Sequence, residues 1–135
     1  MPEYSVIPIY NEDQTGNLLP LLHEIRHALD QLLGSGEKTV IDLSAMPLSE
    51  SELQTLIEFL GEGEVKAELD ILGGSRIVET RFSGVWLVQH LNDAGENDRM
   101  FIEVDRIPPL LCAQNEDIQH GLTRLVQSLT EDHTE

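Results

Sequence analysis

The sequence predicts an α+β domain: an antiparallel-dominated sheet, built as a four-strand meander plus one or two N-terminal strands, with about three helices packed on one face. Three observations carry this. Apolar residues recur at helical spacing in three separate stretches, each closed by glycine, proline or a polar tail. Between the second and third, the apolar period changes to two and short glycine-containing turns divide the segments. Strands and helices are therefore grouped instead of alternating throughout, which argues against a parallel sheet made of βαβ units.

Tyr4 to Tyr10 reads as a short first strand, and Asn11 to Gly16 as a polar turn. A helix follows from about Asn17 to Leu33, because Leu18, Leu21, Leu22, Ile25, Ala28, Leu29 and Leu32 fall on one stripe and Gly34 and Gly36 supply a stop. Lys38 to Leu43 is a short β-branched run and hence a strand. Ser49, with Glu52 three residues later, forms a capping box ahead of a second helix that carries Leu53, Leu56, Ile57 and Leu60 and ends at Gly61. From Val65, alternation with Lys66, Glu68 and Asp70 marks a half-buried strand through Ile71. Gly73-Gly74 leads into Arg76 to Phe82, Ser83-Gly84 into Val85 to Leu91, and the polar turn Asn92 to Asp98 into Arg99 to Val104. Pro108-Pro109 ends the meander. A final helix from about Asn115 to Leu129 presents Ile118, Leu122, Leu125, Val126 and Leu129, and Thr130 to Glu135 is a frayed tail. Residues 1–135 read as a single domain.

Charge narrows the functional classes. Twenty-five acids against 8 bases give a net charge of −17 in a chain that is 40% hydrophobic but only 4% aromatic, so the core is expected to be aliphatic. Phosphate backbones and anionic lipid surfaces repel such a chain, so neither nucleic acid nor membrane is an expected partner. No apolar run approaches the ~20 residues of a membrane span, and a cytoplasmic location is expected. Seven acids against Lys66 alone between Glu50 and Asp70 read as a solvated face or a docking surface for a basic partner. Cys112, the lone cysteine, reads as a small buried hydrophobe beside Leu110 and Leu111.

Candidate chemistry is sparse. His23-Glu24-Ile25-Arg26-His27 matches H-E-x-x-H, in which two histidines one helical turn apart hold zinc while the glutamate acts as general base. Stepping 100° per residue, however, points His23 and His27 away from the apolar arc, onto an outer face with no cleft and no evident third ligand. No serine sits in a nucleophile elbow and no glycine pattern has phosphate-loop spacing. Catalysis and cofactors are not expected. The meander is more informative: if Val65, Ala67, Leu69, Ile71, Val85, Leu87, Met100, Ile102 and Val104 face the helices, parity puts Trp86, Val88, His90, Phe101 and Glu103 on the other face. Glu79 and Arg81 are expected to join them. Glu79, Arg81, Trp86, Val88, His90 and Phe101 then form a candidate partner-binding patch, unless a helix or the second subunit of a homodimer covers it.

Four segments carry a family resemblance. Leu21-Leu22-His23-Glu24-Ile25, Thr39-Val40-Ile41-Asp42-Leu43, Gly61-Glu62-Gly63-Glu64-Val65 and above all Glu79-Thr80-Arg81-Phe82-Ser83-Gly84-Val85-Trp86 resemble, in order, the conserved-region pattern of HupH/HyaF-type hydrogenase expression/formation proteins. The resemblance implies a non-catalytic accessory protein of nickel–iron hydrogenase maturation, a chaperone for a hydrogenase subunit precursor that also meets other maturation proteins. It brings no catalytic residues. Members are often about twice this length, with the pattern in their C-terminal half, so the chain corresponds to a stand-alone version or an excised domain. The competing expectation is a zinc-dependent hydrolase using His23 and His27.

Overall fold

The computed structural model describes residues 15–70 and 73–132. Helix α1 (Leu18–Ser35) is followed by strand β1 (Thr39–Asp42), helix α2 (Glu50–Leu60), strands β2 (Lys66–Leu69), β3 (Ser75–Glu79), β4 (Val85–Leu91) and β5 (Asn97–Val104), and helix α3 (Asn115–Asp132). The strand expected at Tyr4 to Tyr10, most of the following turn and Ile71 lie outside the described residues.

Each helix start and stop has a local cause. Helix α1 runs through Gly34 and ends at Gly36, whose left-handed backbone (φ 80°) lets its N–H cap the Leu32 carbonyl. Asn17, at its start, donates to the Thr15 hydroxyl at 2.9 Å and to the Pro47 carbonyl at 3.0 Å, which ties the helix to the loop before α2. Helix α2 begins with the expected capping box: Ser49 Oγ accepts from the Glu52 N–H, and Glu52 accepts from the Ser49 N–H at 3.0 Å. Glu52 does more than cap. Its carboxylate is 1% exposed and also accepts from the Thr15 hydroxyl at 2.8 Å and the Thr15 N–H at 2.9 Å.

The five strands form one antiparallel sheet in the order β1-β5-β4-β3-β2, so the expected meander β2 to β5 is extended by β1 on the outer side of β5. In β4–β5, Val85 lies opposite Val104, Leu87 opposite Ile102 and Gln89 opposite Met100. Val85, Leu87, Met100, Ile102 and Val104, with Ile41, face α1 and α2 and build the main core around Leu21, Leu56 and Leu60, which is aliphatic as the composition requires. Truncating any of those three leucines to alanine would cost on the order of 2–5 kcal/mol.

Two placements differ from the sequence expectation. Ala67 and Leu69 do not face the helices. Ala67 pairs with Ile77, and Ile77 with Val88, so β2 turns its small apolar side toward the opposite face and leaves Lys66 and Glu68 on the helix side. Val65 is 42% exposed. Cross-strand partners must share a face, and this register overrides the apparent continuity of the alternating pattern. The second difference is α3. It forms where the periodicity predicts, but every side chain from Cys112 to Glu131 is exposed, so of the described helices α1 and α2 are the ones that pack on the sheet. Periodicity shows that a helix has an apolar stripe without showing what covers it. Cys112 is exposed for a related reason: the 3-10 turn Pro109–Leu111 turns only Leu111 inward. Among the described residues, no helix is long and apolar enough to cross a membrane.

Glu52 provides a test of the α1–α2 junction. Burial pushes its carboxyl upward, but hydrogen bonds from Ser49 and Thr15 outweigh burial and hold it below the usual carboxylate range. The folded group therefore ionises below the unfolded one. Its contribution is complete above about pH 4.3 and is lost as pH falls through the folded value. Glu52→Gln is expected to lower Tm at pH 7 by several degrees, with a deficit that shrinks toward pH 3; a deficit independent of pH would show that the carboxylate charge contributes nothing.

Candidate partner-binding surface

The segment Glu79 to Trp86 is built around one turn. Thr80 is buried, and its hydroxyl donates to the Val85 carbonyl at 2.8 Å while accepting from the Phe82 N–H at 3.1 Å. Backbone bonds from Thr80 N to Val85 O and from Val85 N to Phe82 O close the turn. Gly84 has φ +92°, and a Cβ there would sit 3.1 Å from Leu29 of α1, so conformation and contact both call for glycine. The turn also anchors α2: Arg81 N donates to Leu60 O, and Arg81 Nε donates to Phe59 O at 2.8 Å. The Arg81 guanidinium lies 4.7 Å from the Phe59 ring centroid and 4.3 Å from that of Phe82. Arg81 therefore belongs to the α2 end of the sheet, not to the face of Trp86 where parity would place it, because β3 ends at Glu79 and the chain turns there.

The other expected patch residues do share the second sheet face. Glu79 lies opposite Trp86, Trp86 opposite Glu103, Val88 opposite Phe101, and His90 opposite Arg99. Trp86 and Val88, however, are 5% and 1% exposed and pack with Ile77, Ala67, Leu69, Phe101 and Leu111 in a second apolar cluster. The indole N–H donates to the Asp105 carbonyl at 3.0 Å. Trp86 is thus a core residue, not an exposed anchor. The chain after β5 folds back over this face, and its Leu111 packs against the cluster. His90 and Phe101 are half-buried: His90 Nδ1 is 2.8 Å from Ser75 Oγ, and its ring meets that of Phe101 edge-on at 5.6 Å. Arg99 covers the other side of Phe101 and bonds Asp42 at 2.9 Å. Outside α1 and α3, the exposed large apolar side chains among the described residues are Val40, Val65, Ile107 and Leu110.

An open apolar surface lies instead on the helix side. Leu19, Leu22 and Leu29 of α1, Phe59 of α2 and Phe82 of the β3–β4 turn surround a pocket of about 340 Å³, with His23 and Arg26 on its rim. Leu19 is 48% exposed there. The sequence held a signal for it. Leu19 widens the apolar arc of α1 beyond the single stripe that one core face needs. The H-E-x-x-H residues His23, Glu24 and His27 are all exposed, but His23 borders the pocket instead of facing a surface without a cleft, because Phe59 and Phe82 rise beside that flank of α1. Among the described residues, no three His, Cys, Asp or Glu side chains come together as a metal site. Of the acids between Glu50 and Asp70, Glu52 is buried and the others are exposed.

Residues 16–131 match the family model described as HupH hydrogenase expression protein, C-terminal conserved region. The chain belongs to this family. It is 36% identical over 115 residues to the hydrogenase expression/formation protein HupQ of Azotobacter chroococcum mcd 1, covering 84% of this chain and 40% of HupQ. To HupH of Rhizobium leguminosarum bv. viciae it is 30% identical over 109 residues, covering 81% of this chain and 39% of the relative. The solved structure of the hydrogenase expression protein HupH from Thiobacillus denitrificans ATCC 25259 superposes with a TM-score of 0.83 at 41% identity, covering 87% of this chain and 98% of that one. The chain thus spans about two fifths of the length of these two curated relatives. The HupH-like stretch Glu79 to Trp86, the most specific part of the sequence resemblance, is accounted for here as a turn that joins α1, α2 and the sheet.

The burial of Trp86 sets two expectations. Trp86→Ala should destabilise the fold by about 3–5 kcal/mol, read as an early denaturant midpoint; a near-parental midpoint would mean the second cluster contributes little. Glu103 behaves in the opposite sense to Glu52. Burial and then the neighbouring Asp105 charge raise its carboxyl above the usual range, against a smaller pull from His90. The folded state therefore loses stability as pH rises from about 4.3 through the raised value. Glu103→Gln is expected to raise Tm at pH 7 and to have no effect at pH 4; an equal gain at both values would remove the charge explanation.

Proposed function

We propose that this chain is a non-catalytic accessory protein of nickel–iron hydrogenase maturation, acting in the cytoplasm, and that it holds a hydrogenase subunit precursor through the pocket beside α1. Family membership and the names of the relatives support the hydrogenase role. The single observation that supports the binding mode is the open, apolar pocket between α1, Phe59 and Phe82, set in a chain of net charge −17. Most of a surface this acidic repels anions and stays hydrated. An open apolar concavity on it suits a large apolar side chain of an incompletely assembled protein, presented on a neutral or basic segment.

The framework suits holding more than chemistry. The pocket walls come from two helices and a hydrogen-bonded turn, so a bound segment meets a preformed shape and little ordering cost is added on binding. Other maturation proteins are expected to engage the same precursor elsewhere.

The proposal is tested by capturing the hydrogenase subunit precursor from cells expressing a hydrogenase operon with tagged chain as bait. Leu19→Asp, at the pocket edge, is expected to weaken capture by about 2 kcal/mol, roughly 30-fold, at parental Tm. Leu33→Asp serves as the control: this residue is 78% exposed on the same helix and outside the pocket lining. Equal capture by the Leu19→Asp variant, or loss of capture by the Leu33→Asp variant alone, would overturn the assignment of the pocket.

A further inference from the structure

Helix α3 presents a problem of stability. Eighteen residues that pack against none of the described residues would form a marginal helix in water even when the sequence is rich in alanine. α3 has no alanine, and it contains Gly121 with the β-branched Ile118, Thr123, Val126 and Thr130. Its apolar side chains are all more than half exposed: Ile118 56%, Leu122 55%, Leu125 58%, Val126 52% and Leu129 52%. Such a helix needs something against its stripe.

The spacing indicates what kind of surface that is. Ile118, Leu122, Leu125 and Leu129 follow one another at intervals of about four, three and four residues, the d-a-d-a register of a two-stranded coiled coil. The positions flanking this seam are Gln119, Gly121, Val126 and Ser128, none of them charged. The charged residues Glu116, Asp117, Arg124 and Glu131 fall on outer positions; Asp132, the last residue of α3, takes the next seam position after Leu129, and Ile118 to Thr130 contains no acid at all. In a chain of net charge −17, a site for a basic partner would place acids beside the apolar stripe. A site for a second copy of the same acidic chain must keep them away from it. α3 does the latter.

We propose that α3 is a dimerisation element, pairing antiparallel with α3 of a second copy. A two-fold axis midway between Leu122 and Leu125 sets Leu122 against Leu125 of the other copy and Ile118 against Leu129, a closed, self-complementary contact. Gly121 and Ser128, small residues on one flank, let the backbones approach. A seam this short is small for a stable interface, so association is concentration-dependent.

Sedimentation equilibrium of the chain between about 10 and 300 μM is expected to show a reversible dimer of the 15.1 kDa chain. Leu125→Glu should weaken association at least about 10-fold while Trp86 fluorescence, which reports the separate second cluster, stays parental. Orientation is read from cross-linking in a Cys112→Ser background, mixing Ile118→Cys chains with Leu129→Cys chains. A disulfide heterodimer in the mixture and none in either variant alone supports the antiparallel seam. A parent that is monomeric throughout, a Leu125→Glu variant that associates like the parent, or cross-linking of each variant only to itself would overturn the proposal.

Discussion

The turn from Thr80 to Val85 is the constraint on which the rest of this fold depends. One buried hydroxyl closes it by serving as donor and acceptor at once, and a left-handed glycine leaves room for Leu29. The next residue, Arg81, then reaches back to the last turn of α2 through both its backbone and its side chain. Helix, helix and sheet meet at this point, so small changes there are transmitted to all three. Gly63 shows how tight the junction is, since a Cβ there would lie 2.6 Å from the Thr80 carbonyl oxygen.

Much of the architecture was legible because it depends on local rules. Period and punctuation located α1, α2, α3 and the strands β1 to β5, the capping box at Ser49 was visible as Ser and Glu three apart, and strand parity sorted Val85, Leu87, Met100, Ile102 and Val104 onto the helix side. What parity could not supply was register between separate strands. Ala67 and Leu69 fall on the far face because Ala67 pairs with Ile77, a non-local fact. Burial of Trp86 was hidden for the same kind of reason. Its cover includes Leu111, from a proline-containing segment whose path no periodicity describes. The pocket was half legible: the broadened apolar arc of α1 was present in the sequence, while its other wall, Phe59 and Phe82, needed the tertiary contact between α2 and the β3–β4 turn.

The sheet consequently carries apolar clusters on both faces, made in different ways. On one side two amphipathic helices bury aliphatic residues in the usual manner of an α+β fold. On the other, a single tryptophan, two β-branched residues and the returning chain achieve burial with far less material. The rim of that second face is then finished with polar contacts, among them Arg99 across Phe101 to Asp42 and Ser75 to His90. Trp86 and Val88 are thereby closed to a partner, whereas the apolar pocket on the helix side is open.

The strand order also governs how the chain can be made. Because β5 is the partner of β1 among the described strands, Thr39 must wait for Val104 to be synthesised before this ladder can form, whereas β2 through β5 join neighbours by short turns. During vectorial synthesis α1 and α2 emerge first with their apolar stripes uncovered, and the platform they rest on is completed last. Joining β1 to β5 across the long intervening segment carries a larger loop-closure cost than the local hairpins do. Until the two are joined, the nascent polypeptide exposes the leucine-rich flank of its own N-terminal helices.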